Sequence, residues 1–274
     1  MKVIRVAAIQ FRIEIESSRE RILERAKKLI GEAAKEEVQI VCLPERWNYR
    51  KGNVEDNLEP VNGPTMGFLE KISEEYGIYL IGGAIWVFNE NKTENHIIAG
   101  IFNPKGEILS IQQKLHLYLY EKSFFSPGKN LNVVDTELGK IGVAICFDMT
   151  FPEVARFYAL EGVDLIFSPV LIRDDGIENW HIYLKARALE NRMPICAVNC
   201  VGGFNDKKFP GQSLIIDFKK GHETPSKLQV REGVPYKEQV LIATVDLATA
   251  RKLRKKRLAE RLEIDNRILG KNKK

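Results

Sequence analysis

The chain alternates between short apolar runs and longer segments in which apolar residues recur every three or four positions. Short runs of this kind are typical of buried strands, and the longer periodic segments are typical of amphipathic helices. The pattern predicts strands at residues 3–10, 38–43, 78–88, 96–102, 108–113, 132–136, 140–146, 163–168, 195–201, 213–218 and 239–245. It predicts helices at residues 18–36, 64–76, 152–161 and 177–192, and a last one after Asp246.

Several neighbouring strands are separated by short turn sequences, which predict hairpins. The clearest is Asn-Pro-Lys-Gly at residues 103–106, and Lys-Lys-Gly at residues 219–221 is a second turn signal. The predicted pairs are 96–102 with 108–113, 132–136 with 140–146, and 213–218 with 239–245.

Alternation of strands and helices together with hairpins indicates an α/β fold with mixed sheets. A purely parallel doubly wound sheet does not explain the hairpins, whereas a sandwich of mixed sheets with outer helices does. No internal repeat or low-complexity linker divides the sequence. We therefore expect one domain over residues 1–274.

Composition is that of a globular protein, with 44% hydrophobic and 29% charged residues. The net charge of +5 is unevenly distributed, because residues 251–274 alone carry +8 and the rest of the chain carries −3. This basic C-terminal segment raises the hypothesis of a protein that binds nucleic acid or a charged surface. No basic groove motif or aromatic platform accompanies it. The interleaved Leu253, Leu258, Leu262 and Ile264 instead favour a helix that docks on the protein itself, so we expect no nucleic-acid partner.

Other whole-chain features point to a cytoplasmic protein. No secretory signal precedes the first strand, and no apolar run is long enough to cross a bilayer, so we expect no membrane partner. The four cysteines, Cys42, Cys146, Cys196 and Cys200, are expected to be thiols. The spacing of the last two does not match common zinc sites, and we expect no metal.

Cys146 lies where a predicted strand turns into a predicted helix. Residues 141–145 are almost entirely apolar, and Pro152 and Glu153 suit the first turn of a helix. Free N–H groups near a helix start can lower a thiol pKa and can bind a developing oxyanion. A buried cysteine packed as a small hydrophobic residue explains the same stretch equally well.

A nucleophilic cysteine needs a base, and histidine is the usual one. His96, His116, His181 and His222 lack any local motif that pairs them with Cys146, and surface or core-edge positions are favoured for all of them.

Strand ends offer a better set of partners. Open α/β folds place ligands at the carboxyl ends of strands, and Glu45, Lys114 and Cys146 each follow a predicted strand. Glu45 can act as a base, and Lys114 can supply a fixed positive charge for an oxyanion. Glu121, seven residues after Lys114, can contact that lysine or share proton transfer. Taken alone, each of these charged residues is typical of a solvated loop, but their placement together after strand ends indicates a functional site.

Three segments around these residues resemble the signatures of the nitrilase, or carbon–nitrogen hydrolase, superfamily. They are Val-Cys-Leu-Pro-Glu at 41–45, Gln-Lys-Leu-His-Leu-Tyr at 113–118, and Gly-Val-Ala-Ile-Cys-Phe-Asp-Met-Thr-Phe-Pro-Glu at 142–153. Ala-Arg-Ala-Leu-Glu-Asn-Arg at 186–192, followed by Asn199, also resembles the family. Their order and spacing carry the resemblance along nearly the whole chain.

The resemblance implies a four-layer α-β-β-α sandwich, usually paired as a homodimer or larger homo-oligomer. It implies Cys146 as nucleophile, Glu45 as general base, Lys114 as stabiliser of the transition state and Glu121 as a second glutamate. The backbone N–H of Phe147 is expected to complete the oxyanion hole. The charge of Lys114 is expected to lower the thiol pKa. The family uses no metal or organic cofactor, and we expect none here.

The resemblance also narrows the reaction. Nitrilases proper typically have Cys-Trp-Glu at the nucleophile, whereas this chain has Cys-Phe-Asp at 146–148. We therefore expect hydrolysis of a small-molecule amide, with an N-carbamoyl amidohydrolase or a nitrilase proper as alternatives. Met149-Thr150 provides no arginine for a substrate carboxylate, and Arg173 in a later loop is the remaining candidate. The sequence does not identify the acyl group of the substrate.

Overall fold

Two β-sheets stacked face to face form the centre of the molecule. The computed structural model describes residues 3–14, 18–50, 52–204 and 206–262. The strands are β1 (Val3–Gln10), β2 (Arg12–Ile13), β3 (Ile40–Cys42), β4 (Glu59–Pro60), β5 (Tyr79–Ile81), β6 (Ile85–Phe88), β7 (Asn95–Phe102), β8 (Ile108–Gln113), β9 (Val133–Thr136), β10 (Gly139–Val143), β11 (Leu165–Val170), β12 (Ile195–Asn199), β13 (Val201–Phe204), β14 (Lys207–Pro210), β15 (Leu214–Glu223), β16 (Ser226–Glu232) and β17 (Gln239–Asp246). The helices are α1 (Arg19–Lys35), α2 (Val54–Asn57), α3 (Pro64–Tyr76), α4 (Pro152–Leu160), α5 (Ile177–Asn191) and α6 (Leu247–Ala259).

The first sheet has the strand order β17-β1-β3-β5-β7-β6-β4, with β8 paired to β7. The second has the order β16-β15-β12-β11-β10-β9, and a small third sheet joins β14, β13 and β2. β1 packs against β12 across the interface between the two large sheets. Helices α1 and α3 cover the first sheet, and α5 and α6 cover the second. The predicted α-β-β-α sandwich is confirmed.

Capping residues set the helix ends where the sequence placed them. The Ser18 side chain accepts from the N–H of Arg21 at the start of α1, and Asp246 accepts from Ala248 and Thr249 at the start of α6. Gly77 ends α3 in the left-handed conformation, with φ +62°. Within the described residues, no helix is both long and apolar enough to cross a membrane.

The prediction of one continuous strand over residues 78–88 is wrong, because residues 82–84 interrupt it and separate β5 from β6. Gly83 adopts φ +71°, and a Cβ there would lie 2.3 Å from the carbonyl oxygen of Pro44 and 2.5 Å from Cδ1 of Trp47. This close approach brings Ala84 beside Glu45, with which it forms a parallel β-bridge. The interruption between β5 and β6 therefore makes room for the loop that carries Glu45.

The predicted last hairpin is also wrong. Strand β15 continues through the Lys-Lys-Gly sequence to Glu223 and turns back at Thr224-Pro225 into β16, which pairs with it. Strand β17 instead crosses to the other sheet and pairs antiparallel with β1 over its full length. The second half of β15 is exposed, so a polar sequence that resembles a turn is compatible there with a strand. Smaller differences are that β11 runs through Pro169 to Val170, and that the predicted strand 195–201 divides into β12 and β13.

The described part of the basic C-terminal segment docks on the second sheet. Leu253 and Arg254 are buried, and the guanidinium of Arg254 donates to the carbonyl of Val163 and to Asp164. Arg251 makes a second contact to Asp164, with Nε 2.6 Å from Oδ1. Leu262 is 81% exposed, so the prediction that it takes part in docking this segment on the protein is wrong. The predicted contact of Ile264 lies outside the described residues.

Candidate active site

Strand direction brings the predicted site residues to one edge of the sandwich. β3 and β5 are parallel, β7 is antiparallel to β5, and β8 is antiparallel to β7, so β3 and β8 run the same way. Glu45 and Lys114 therefore follow carboxyl ends at the same edge of the first sheet. In the second sheet β10 and β11 are parallel, and Cys146 follows β10. The loops after these strands meet between the sheets.

A buried lysine links the two glutamates. Lys114 Nζ lies 2.9 Å from Oε1 of Glu45 and 2.8 Å from Oε1 of Glu121, and all three residues are at most 4% exposed. Burial alone would lower the pKa of Lys114, but the charges of Glu45, Cys146 and Glu121 raise it above its ordinary value. Lys114 is therefore a permanent cation at neutral pH.

The Cys146 thiol lies beside this charge cluster and is itself buried. Burial first, and then the negative charge of Glu45, raise the pKa of Cys146 well above its ordinary value. Lys114 and a backbone hydrogen bond at Leu171 act in the opposite direction without outweighing them. The expectation of a lowered thiol pKa is therefore wrong in its net direction. The resting group is a thiol, which needs a base before it can attack a carbonyl carbon.

The two carboxyl oxygens of Glu121 accept hydrogen bonds from different groups, Oε1 from the ammonium of Lys114 and Oε2 from a backbone N–H. Its Oε2 accepts from the N–H of Tyr118 at 2.7 Å, which ties the carboxyl to the loop after Lys114. Burial and the charge of Glu45 raise the pKa of Glu121, against the opposing effects of Lys114 and the Tyr118 N–H. Two carboxyls that share one cation in a buried site favour protonation of one of them.

Local backbone geometry presents Cys146 at a tight turn. The residue has φ +47°, outside the range that most side chains prefer, and it begins a short 3₁₀ helix, Cys146–Thr150. Arg187 holds this turn from α5: its Nη2 donates to the carbonyl of Thr150 at 2.6 Å and its Nε to that of Met149 at 3.2 Å. Residues 186–192, noted in the sequence for their resemblance alone, thus have a structural role in supporting the turn. Phe147 follows the thiol directly, and its N–H as an oxyanion donor stays a prediction.

Asp148 joins the Cys146 turn to the Lys114 loop. Its carboxylate accepts from the N–H of Ile145 at 3.0 Å, and from the N–H and Nδ1 of His116 at 2.7 and 2.9 Å. The His116 ring also stacks on Phe151, with ring centroids 3.9 Å apart. His116 therefore supports the site from outside the reacting groups. Sequence reasoning missed this link, for which the only signal was an aspartate two residues after the cysteine.

The reacting groups open into a cavity of about 750 Å³. It is lined by Glu45, Lys114, Glu121 and Cys146, and by a largely aromatic wall: Tyr118, Tyr120, Phe147, Phe151, Trp180, Phe204 and Phe209. A neighbouring chamber of about 360 Å³ shares four lining residues with it: Arg46, Tyr120, Phe204 and Lys207. These volumes suit a small molecule.

Two further predicted features can be compared with the structure. Arg173 lines the large cavity, but its guanidinium is paired with Asp175 at 3.0 and 2.8 Å. Among the described residues, no group of three or more His, Cys, Asp or Glu side chains is arranged to hold a metal ion.

Comparison with known proteins gives consistent matches along the chain. A family model described as carbon-nitrogen hydrolase matches residues 5–255. The omega-amidase NIT2-B of Xenopus laevis is 34% identical over 211 residues, which are 73% of this chain and 75% of the relative. The crystal structure of Saccharomyces cerevisiae Nit3, a member of branch 10 of the nitrilase superfamily, matches with a TM-score of 0.80 at 25% identity, covering 93% of this chain and 94% of the other.

A third match resembles this chain in fold. It is a mutant amidase from Nesterenkonia sp. AN1 that carries the acetamide moiety of fluoroacetamide on its active-site cysteine. The TM-score is 0.73 at 22% identity, with 93% of this chain and 95% of the other covered.

Proposed function

Because the chain belongs to the carbon–nitrogen hydrolase family, we propose that Cys146, Glu45, Lys114 and Glu121 together carry out its reaction. That reaction is the thiol-dependent hydrolysis of an amide in a small molecule. The observation that carries the assignment of residues is the buried lysine bridge. Lys114 contacts Glu45 and Glu121 within 2.9 Å, beside a buried thiol that lines the same cavity.

The first half of the reaction forms a thioester. Glu45 takes the proton of the Cys146 thiol, and the sulfur attacks the amide carbon as the C=O π electrons move to oxygen. Lys114 and the N–H of Phe147 stabilise this oxyanion. The C–N bond then breaks as the carbonyl reforms, and the nitrogen leaves as ammonia or an amine with the proton held by Glu45.

The second half releases the acid. Glu45 takes a proton from water, and the oxygen attacks the thioester carbon to form a second oxyanion at the same position. Its collapse breaks the C–S bond, and the sulfur regains a proton from Glu45. Since the resting thiol has a raised pKa, both halves depend on Glu45 as the proton carrier.

Glu121 acts through Lys114. Its contact at 2.8 Å fixes the ammonium, and its raised pKa disfavours the ionised form of Glu121 that a general base needs. We therefore assign Glu121 as a positioning residue for the lysine, with Glu45 as the base.

A cysteine replacement tests the assignment directly. Cys146→Ala is expected to abolish ammonia release from small amides while the protein keeps its circular dichroism spectrum. Cys196→Ala, which removes another buried thiol far along the chain, is the matched control and is expected to keep its activity. A Cys146→Ala enzyme as active as the wild type would contradict the proposal.

The same assay separates the three reaction types that the sequence left open. Ammonia release is measured over small amides, N-carbamoyl compounds and nitriles, and intact mass identifies the acyl group trapped on Cys146. Turnover of primary amides is expected to exceed that of the other two classes. Faster turnover of an N-carbamoyl compound or a nitrile would assign the enzyme to that class.

We also propose a homodimer and a cytoplasmic location for the protein. Phe157, Leu160 and Ile182 are exposed apolar residues on the neighbouring helices α4 and α5, which suits a homodimer formed through these helices. Light scattering is expected to give twice the chain mass, and Ile182→Glu is expected to halve it. The four free cysteines suit the reducing cytoplasm.

A further inference from the structure

Asn199 is the last residue of β12, and its side chain is buried at 1% exposure. Its Oδ1 accepts from the N–H of Ile172 at 2.9 Å and from that of Cys200 at 3.0 Å. Its Nδ2 donates to the carbonyls of Ile172 at 3.0 Å and Gly211 at 2.8 Å. Two accepted and two donated hydrogen bonds are the full capacity of a carboxamide. An apolar side chain or a carboxylate of the same size cannot make this set of contacts.

The carboxamide of Asn199 binds both backbone groups of Ile172 and so holds the segment that follows β11. In the second sheet β11 lies between β10 and β12, and its last residue, Val170, is the register partner of Asn199. Cys146 follows β10, on the other side of β11. The segment after β11 therefore runs between the asparagine and the nucleophile.

One peptide group of this segment contacts both Glu45 and Cys146. The carbonyl of Val170 accepts from the N–H of Glu45 at 3.3 Å, and the N–H of Leu171 forms a hydrogen bond with the thiol of Cys146. These two groups point in opposite directions because they belong to one trans peptide. Burial, and then the charge of Glu45, raise the pKa of Cys146, and the Leu171 N–H opposes them. The residue after Leu171 is the one that Asn199 holds, so the carboxamide fixes the direction of this N–H.

We propose that Asn199 is a positioning residue of the hydrolase, which binds Ile172 and thereby keeps the N–H of Leu171 directed at the sulfur of Cys146. This inference rests on the proposed function, since it adds a donor to the same nucleophile. The sulfur carries negative charge as it attacks the amide carbon and again as it leaves the thioester. A hydrogen bond to that charge is stronger than one to the resting thiol, so it lowers the barrier to both steps.

The reactivity of the Cys146 thiol tests this role independently of any substrate. Alkylation by iodoacetamide is followed by intact mass, with Cys146→Ala as the blank. In Asn199→Ala the curve of alkylation rate against pH is expected to move about one unit toward higher pH, because a hydrogen bond to the thiolate is lost. A loosened and more hydrated site would move the curve toward lower pH, since burial is the largest cause of the raised thiol pKa. A curve that stays in place or moves to lower pH would overturn the inference.

Asn57→Ala is the matched control. Asn57 is 7% exposed and holds another loop in the same way: its Oδ1 accepts from the N–H of Arg50 at 2.7 Å, and its Nδ2 donates to the carbonyl of Asn53 at 2.9 Å. This variant is expected to lose stability in urea as Asn199→Ala does, and to leave the alkylation curve in place. An equal shift of the curve in both variants would indicate a general loss of packing and overturn the assignment.

A second pair of variants removes the donor itself and decides the question if Asn199→Ala does not fold. Leu171→Pro deletes the N–H, whereas Leu171→Ala deletes only the side chain. Proline is compatible with a preceding extended residue, and Val170 belongs to β11. The alkylation curve is expected to move to higher pH in Leu171→Pro and to stay in place in Leu171→Ala. Equal curves in these two variants would overturn the role of this N–H.

Ammonia release separates this inference from the proposed function. With propionamide, kcat of Asn199→Ala is expected to fall about 30-fold, as for the loss of one charge-assisted hydrogen bond. KM should change less than about threefold, because the contact acts mainly after the thiol has lost its proton. A loss confined to KM would assign Asn199 to substrate binding and overturn the inference, while the proposed function would stand. Ammonia release by Cys146→Ala would contradict the proposed function itself.

Discussion

Lys114 and Arg46 are two buried cations that line one cavity, and the protein treats them in opposite ways. Lys114 is 1% exposed and has a carboxylate on each side, within 2.9 Å. Arg46 is 7% exposed and has aromatic rings on its faces and a phenol at its edge. A cation paired with fixed acids holds its position and charge through a reaction, whereas a cation stacked on rings keeps its charge available to an incoming anion. The difference suits Lys114 to a fixed position beside the thiol, and it leaves the guanidinium of Arg46 stacked on rings rather than paired with an acid.

Removing the paired cation should have the largest effect. Lys114→Met is expected to lower kcat about 1,000-fold, because the main charge opposite the oxyanion is lost. It should also destabilise the fold by about 3–5 kcal/mol, because Glu45 and Glu121 are left buried without their partner. Steady-state ammonia release and urea unfolding measure the two effects. Lys122→Met, an exposed lysine of the same loop, is the control and should change neither.

A stable, active Lys114→Met enzyme would mean that the bridge is dispensable and would remove the contrast with Arg46. The contrast would also weaken if Arg46→Gln lost as much kcat as Lys114→Met, because Arg46 would then act on the transition state.

The next effect concerns the thiol beside the paired cation. The negative charge of Glu45 raises the pKa of Cys146, so Glu45→Gln should lower the pH at which iodoacetamide alkylates this cysteine. Ammonia release should nevertheless fall at least 100-fold, since the base is gone. Alkylation is followed by intact mass between pH 6 and 10, with Cys146→Ala as the blank for the other thiols.

This prediction distinguishes two roles of Glu45. If Glu45 acted only through its charge, the variant with the more acidic thiol would be the faster enzyme. Higher activity in Glu45→Gln would therefore contradict the assignment of Glu45 as the proton carrier.

The sequence predicted the cluster around Lys114 but not the environment of Arg46, for a physical reason. Glu45, Lys114 and Cys146 each follow a short apolar run, and strand ends meet wherever strands share a direction, so local patterns predict the cluster. The environment of Arg46 is assembled from Tyr49, Trp86 and other aromatic residues of separate segments, and no local pattern relates them.

The wrong last hairpin has a similar cause. Local apolar patterns located β15 and β17 but did not reveal that they belong to different sheets. Which strands pair is decided by packing between distant segments, here β17 against β1. The prediction of an α-β-β-α fold is nevertheless correct, because this fold class depends on the number and type of layers and not on which strands pair.

The smallest expected effect tests the second acid of the bridge through the pH dependence of stability. The pKa of Glu121 is raised in the folded state, so between its ordinary value of 4.5 and the raised value the folded protein binds more protons than the unfolded chain. Stability from this group therefore falls as pH rises through that window and is constant above it. Glu121→Gln removes the titration and keeps the shape, so wild-type stability minus variant stability should decline from pH 4.5 upward and then level off. Urea unfolding at half-unit steps of pH measures the difference, with Glu137→Gln as a control outside the bridge. A difference that rises with pH would mean that Lys114 outweighs burial and the charge of Glu45, holds the pKa of Glu121 down and keeps Glu121 ionised in the resting enzyme.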